Sequence, residues 1–505
     1  MKKTTLAIGI IAVLGIGYVG TAWYTGNIIE NNIDSELKEI NQKINDYQDK
    51  FKVDISYSKL EKNIFSTTFH LTVTLSPIDN YGIDSQPRKL FDDDIIIHHG
   101  PFPMAAIAKG TFSPQMAWIE YQMSEHTDPD LWKLLDNQPF ISAHAGISYQ
   151  NNLRVKVTNK ALSATPDNLK YLDGLFVISE GDYSFESNVD FANIQVNAHL
   201  DKLKYIENAN NSLTLDNLNI STKPNNNKTI VDFDINVGHL NVQDGDYRYS
   251  HLPLEATVDN CKTQGSFNYK NHDLNVQNSI DKLIFKQISQ EPTQPIEFNK
   301  LVLNQKNALN TSDTVDGFFQ LNVESVSYGQ QNLGYGTLDF AFQGLDKKLF
   351  SYDSEDDFYD DVDEIDMSNI KLSLNQFNWH NIGGDVNISA DAKWVDMKEA
   401  PDTYGFEQIE NFNLKIDVPF KVLAYMFAQI EAAKKQENEI SQAVIDERIK
   451  SLEDLCERFF SDAKFLTFKR NNISGFFSDV EYSKENIMIK VNGEKMLREE
   501  LFDAF

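Results

Sequence analysis

From residue 53 onward the chain alternates. Val53, Ile55 and Tyr57 take every second position against Asp54, Ser56 and Ser58; Phe69, Leu71, Val73 and Leu75 do so against His70, Thr72 and Thr74. A period of two on β-branched and aromatic residues predicts strands with one buried face. The pattern returns at residues 153–157, 194–200, 231–237, 319–323, 338–342, 370–374 and 412–418. Connectors rich in Asn, Asp, Gly and Ser, such as 207–211 and 224–227, separate these runs. The expected fold is mainly β with helical additions: an extended antiparallel sheet or sandwich spanning residues 51–419. Strand-plus-turn units recur, with no strict repeat period.

Three segments depart from the alternation. Ile28, Ile29, Ile33, Leu37, Ile40 and Ile44 fall three or four residues apart, which predicts an amphipathic stalk helix within residues 28–50. Residues 114–136, with Met116, Ile119, Met123, Leu131, Leu134 and Leu135, read as short helices or a lid. Residues 420–466 carry Val422, Leu423, Tyr425, Met426 and Ile430, then Ile449, Leu452, Leu455, Cys456 and Phe459, at helical spacing. The charged stretch 431–439 either joins two helices there or forms one solvated face. Residues 467–505 read as closing strands and a C-terminal tail.

The N-terminus sets the expected compartment. After Lys2 and Lys3, residues 4–29 contain no charge, a run of 26. About 20 helical residues cross a ~30 Å hydrocarbon core. A transmembrane anchor at residues 1–27 is therefore expected, with the bilayer as partner through residues 4–29. Lys2 and Lys3 before the run, and Glu30, Asp34 and Glu36 after it, put the N-terminus in the cytoplasm and the body outside. Trp23 and Tyr24 stand where an interfacial aromatic belt would lie. Gly20-Thr21-Ala22 is a passable signal-peptidase site, so a cleaved signal peptide is the competing reading.

Charge narrows the function. The 505 residues include 75 Asp and Glu against 46 Lys and Arg, a net charge of −29. Nucleic-acid affinity comes from neutralising phosphates, so this balance argues against such a partner. The two cysteines, Cys261 and Cys456, stand far apart with no Cys-x-x-Cys. A long-range disulfide and two thiols acting as small apolar residues are both open.

Several stretches together resemble the YdgA family of uncharacterised bacterial envelope proteins. They are the opening Met1-Lys2-Lys3 and apolar run followed by Ala22-Trp23-Tyr24-Thr25-Gly26; the alternating 53–75 segment with Ser56-Tyr57 and Ile64-Phe65-Ser66; and His98-His99-Gly100-Pro101-Phe102-Pro103. In the last, His99, Gly100, Pro101, Phe102 and Pro103 are the most specific element. Asn492-Gly493 after an alternating strand matches in kind. The resemblance implies an inner-membrane-anchored periplasmic protein with no assigned reaction. The acidic loop 352–366 lies outside the resemblance.

Candidate chemistry is sparse. His98 and His99 suggest a metal or proton site, but neighbours on an extended chain point to opposite faces, and a rigid turn against Phe102 explains the motif as well. The acidic loop lacks the glycine and spacing of an EF-hand. There is no nucleophile elbow, zinc-protease motif, phosphate-cradling loop or dinucleotide fingerprint. No catalytic residue, metal ligand or cofactor is expected. Phe318, Phe319, Phe340 and Phe342 line either an ordinary sheet core or an apolar groove. The expected function is a non-enzymatic binding or scaffold protein of the envelope, with a lipid or other hydrophobic ligand as candidate partner. The alternative is a protein-interaction or self-associating module, and below it a carboxylate-based hydrolase.

Overall fold

The computed structural model describes residues 51–498 apart from 64–65, 78–86, 100, 189–192, 226–228, 246–253, 289–292, 351–367, 397–407 and 460–464, together with Lys38, Asn41, Gln42 and Asn45. The expected anchor and the acidic loop 352–366 lie outside the described residues. No described helix is long and apolar enough to cross a membrane. The chain divides into two compact units, residues 1–237 and 238–505. The fold is mainly antiparallel β, as the alternation leads one to expect.

In the first unit, β1 (Phe51–Lys62), β2 (Ser66–Pro77), β3 (Arg88–His99), β4 (Gln115–Gln122), β5 (Ile141–Ser148) and β6 (Asn152–Asn159) pair in chain order. β7 (Leu162–Ala164) and β8 (Leu175–Ile178) form a small ladder, and β9 (Gly181–Asn188) returns beside β6. β10 (Gln195–Ile206) then pairs with β9 along its first half and β8 along its second, with β11 (Ser212–Pro224) on its other edge. Alternation explains the core: Phe69 and Leu71 on β2 are 1% exposed and share one buried cluster with Ile95, Ile147 and Leu153. Between β3 and β4 lies α1 (Met104–Ala108).

The segment 114–136 corrects the helical reading. Met116 and Ile119 lie on β4, and only α2 (Pro129–Leu134) is helical. Met116 and Ile119 share helical spacing by coincidence, while the burial run along β4 includes the adjacent Ala117, Trp118 and Ile119, a strand closed on both faces. Asp128 caps α2 by accepting hydrogen bonds from Leu131 N (2.9 Å) and Asp130 N (3.1 Å), with Pro129 at the first helical position.

β12 (Ile230–Asp244) crosses the division between the units. In the second unit β13 (Leu254–Asn268), β14 (Leu274–Gln287), β15 (Ile296–Leu309), β16 (Thr314–Tyr328), β17 (Gln331–Asp346), β18 (Lys371–Asn381), β19 (Gly384–Trp394) and β20 (Ile409–Pro419) form one long meander. The expected helical segment is two helices, α3 (Phe420–Lys435) and α4 (Gln442–Phe459). They part where Gln436 takes a left-handed conformation, φ 59°. β21 (Thr467–Arg470), β22 (Ile473–Ser483), β23 (Met488–Val491) and β24 (Glu494–Leu497) follow, β22 pairing back onto β20. Cys261 and Cys456 are both free thiols; Cys456 is buried, Cys261 only partly.

α3 lies on one end of the meander. Val422 packs with Val386, Val418, Phe377, Trp379 and Ile388. Asn381 donates to Val422 O (2.9 Å) and Gln429 to Asn332 O (2.6 Å), fixing the helix to two hairpin ends. The approach is so close at Gly383 that a Cβ there would stand 2.7 Å from Lys421 O.

Candidate functional site

The middle strands of the second unit repeat the alternation of the first without its burial. No residue of β13, β14 or β15 is buried, although each strand carries an apolar row. The pairing aligns those rows across strands. Ile280, Leu301 and Val323 stand opposite one another on β14, β15 and β16. Leu303, Leu321, Leu338 and Phe377 continue the next row through β18, and Phe319, Phe340 and Leu374 the one after. Trp379, Phe377 and Ile388 belong to this face and lie under α3. Toward β13 nothing described covers it. Leu254, Ile296 and Phe267 are 40%, 38% and 37% exposed.

The opposite face is mostly polar, although Phe318 falls on it, in phase with Gln320, and is 37% exposed, so Phe318 does not belong to the apolar rows. Gln277 donates to Asn304 (3.0 Å), Asn304 to Gln320 (3.3 Å), Gln320 to Asp339 (3.4 Å), and Asn375 to Asp339 (3.0 Å), an amide chain crossing five strands. One face thus meets water through polar groups while the other presents apolar side chains that are only partly buried and become exposed at Leu254, Phe267 and Ile296. Apolar surface left open to solvent marks interaction sites in soluble proteins. Polar positions interrupt the face only locally, as where Thr263 donates to Asn278 (2.7 Å).

A recurrent element sits in the middle of the strands. Leu200-Asp-Lys-Leu203, Leu215-Asp-Asn-Leu218, Val258-Asp-Asn-Cys261, Ile280-Asp-Lys-Leu283, Phe298-Asn-Lys-Leu301 and Val323-Glu-Ser-Val326 each set two polar residues between two apolar ones. On β10 Leu200 is buried in the core of the first unit and Leu203 packs against the same core, so the apolar pattern changes phase across Asp201-Lys202. Asn217, Asn260 and Lys300, inside β11, β13 and β15, have φ of 56°, 51° and 49°, which lets the pleat change phase without an inserted residue. Lys202 pairs with Asp216 (3.6 Å), Asn260 with Asp281 (2.9 Å) and Lys300 with Glu324 (2.8 Å) along these positions.

The motif residues sit in the first unit. His98 and His99 end β3, where strand alternation turns them to opposite sides. His99 Nε2 is 2.8 Å from Thr67 Oγ1, and burial, then the Lys62 and His98 charges, hold its pKa below the ordinary imidazole value. Pro101 O accepts from Gln115 N (3.0 Å), and Pro103 precedes α1, its carbonyl accepting from Ile107 N (3.2 Å). Phe102 is exposed. Gly100 lies outside the described residues. The described motif residues therefore open the β3–β4 connection, and strand alternation keeps the His98 imidazole off the face that His99 shares with Thr67. Among the described residues no group of three or more His, Cys, Asp or Glu is placed to hold a metal ion.

The alternation pattern missed one buried charge. Asp93 on β3 accepts from Thr127 Oγ1 (2.6 Å), Ser124 N (3.1 Å) and Ser124 Oγ (3.1 Å). These bonds fasten the β4–β5 connection to the core, a structural use of the carboxylate.

The family model described as "Bacterial protein of unknown function (DUF945)" matches residues 1–352. The chain belongs to this family. It is 20% identical to "Protein YdgA" of Escherichia coli strain K12, over the whole of this chain and 97% of that protein. It is 24% identical to "Uncharacterized protein YihF" of the same strain, over 36% of each chain. No solved structure matches.

Proposed function

We propose that this family member is a membrane-tethered, non-catalytic binding protein of the cell envelope, whose second unit holds a lipid or similar elongated hydrophobic ligand on the open face of β13–β17. The observation that carries this reading is the aligned apolar rows of β14–β17, whose side chains stay only partly buried. Five strands from β13 to β17 span about 19 Å at ~4.8 Å per spacing. A lipid acyl chain reaches about half of a ~30 Å hydrocarbon core, so it fits across these rows. Supporting the tether, residues 4–29 are uncharged and two lysines precede them; the body is then periplasmic and the protein single-pass in the inner membrane.

The test is native mass spectrometry of protein extracted gently from membranes, beside Leu321→Asn and Phe340→Asn variants checked for folding by circular dichroism. The reading expects lipid on the parent and its loss from the folded variants. A lipid-free parent, or lipid retained equally by both variants, overturns it.

A second reading, docking of an envelope protein, has its own observation. Phe427, Val444, Leu455 and Phe459 on α3 and α4 are exposed. It expects a crosslinked partner or self-association lost on Leu455→Ser and Phe459→Ser; a monodisperse monomer with no crosslinked partner removes it.

A further inference from the structure

The loop between β3 and β4 holds large apolar side chains out in solvent. Phe102, Met104 and Phe112 are 54%, 77% and 72% exposed. The loop is built, not loose: Gln115 N closes its base on Pro101 O (3.0 Å), Thr111 N bonds Ala106 O (2.9 Å), and Ala106 is fully buried. At the same end of the sheet is the β5–β6 turn, because Gln115 pairs with Ser148. Its Tyr149 is 53% exposed. In a chain with 75 acidic residues, 95–119 and 148–152 contain none, and Lys109 is exposed at the loop tip. The connection at the opposite end of the sheet carries Glu125, Asp128, Asp130 and Asp136.

The stalk residues give this end a direction. Asn41 exchanges two hydrogen bonds with the backbone of Ile55 (2.9 and 2.8 Å), and Asn45 two with Val53 (2.8 and 2.7 Å). Four helical residues advance about 6 Å and two strand residues about 6.6 Å, so the asparagines run antiparallel along β1 in step with it. Going back toward the N-terminus therefore leads toward Lys62, which is level with Thr67 and Ile97. The β3–β4 loop starts just beyond Ile97, at that same end of the sheet.

We infer that the β3–β4 loop rests in the bilayer interface, with Phe102, Met104 and Phe112 entering the boundary between headgroups and acyl chains and Tyr149 beside them. Exposed aromatic and long apolar side chains free of carboxylates suit that boundary, whereas the acidic remainder is repelled by anionic lipid. The loop would seat that end of the first unit on the membrane that the tether enters. The inference rests on the tether reading.

The test uses the full chain carrying Cys261→Ser and Phe112→Cys, labelled with an environment-sensitive NBD dye while the buried Cys456 is spared, in phosphatidylcholine liposomes with and without doxyl-labelled lipid. Glu125→Cys is the control. The expected result is blue-shifted emission at position 112, mostly quenched by doxyl lipid, and water-like, unquenched emission at 125. If the chain floats with the liposomes while 112 behaves like 125, the inference fails and the tether stands. A blue shift without doxyl quenching means protein covers the loop, which also overturns the inference. A chain that does not float removes the tether reading and the inference together.

Discussion

The side-chain amide of Asn45 occupies both backbone hydrogen-bonding groups of Val53, donating to its carbonyl at 2.8 Å and accepting from its amide at 2.7 Å. Asn41 does the same at Ile55. β1 pairs with β2 on one side, and on the other these two amides stand in for a strand. An open edge is a template for unwanted pairing, and here side chains on a helix close it.

Replacing both Asn41 and Asn45 by Ala should therefore accelerate amide exchange at Val53 and Ile55 selectively. With net hydrogen-bond contributions of about 1 kcal/mol each and partial solvation, the expected cost is roughly 1–3 kcal/mol. Exchange at Val53 and Ile55 unchanged from the parent would contradict the edge-closing role.

Asp93→Ala should lower stability by about 2–4 kcal/mol, because it leaves Thr127 and Ser124 without their buried acceptor. Urea titration of the parent and variant checks it. Asp93→Asn should recover part of the loss, since an amide oxygen still accepts. A variant as stable as the parent would mean water replaces the carboxylate at no cost.

His70 links stability to pH. Its Nδ1 is 2.7 Å from Asp94 and its Nε2 3.2 Å from Asp92, and the Asp94 bond is the larger cause of a pKa raised above the ordinary imidazole value, against some loss from burial. The folded state binds the proton more tightly, so the stabilisation is full below the unfolded value of about 6.5 and fades as pH rises through the raised folded value. An NMR titration should place His70 above an exposed histidine, and Asp94→Asn should bring it down. No movement on that substitution would contradict the pairing.

Much of the fold was legible because alternation reports burial directly. The runs at 53–57, 69–75, 153–157 and 412–418 all lie in strands, and 420–466 holds two helices. Residues 114–136 misled, since Met116 and Ile119 share a helical spacing with a strand buried on both faces. The Leu-Asp-Lys-Leu units follow no fixed period along the chain: their spacing varies with loop length, and only pairing aligns them. The partly uncovered face was not legible, because an alternating strand reads the same whether its apolar side meets a core or solvent. Asp93 escaped for a related reason: among polar neighbours, nothing in Asp92-Asp93-Asp94 marks the middle carboxylate as the inward one. The double amide contact of Asn41 and Asn45 needed the position of β1 to become visible.

The most direct measurement on the central claim is photo-crosslinking in native membranes, with benzoylphenylalanine placed at Phe340 on the apolar face and, separately, at Gln320 on the polar face. The expected result is a lipid-mass adduct at position 340 and none at 320. Equal labelling at both positions, or no lipid adduct at 340 in folded protein, would contradict a lipid-holding face.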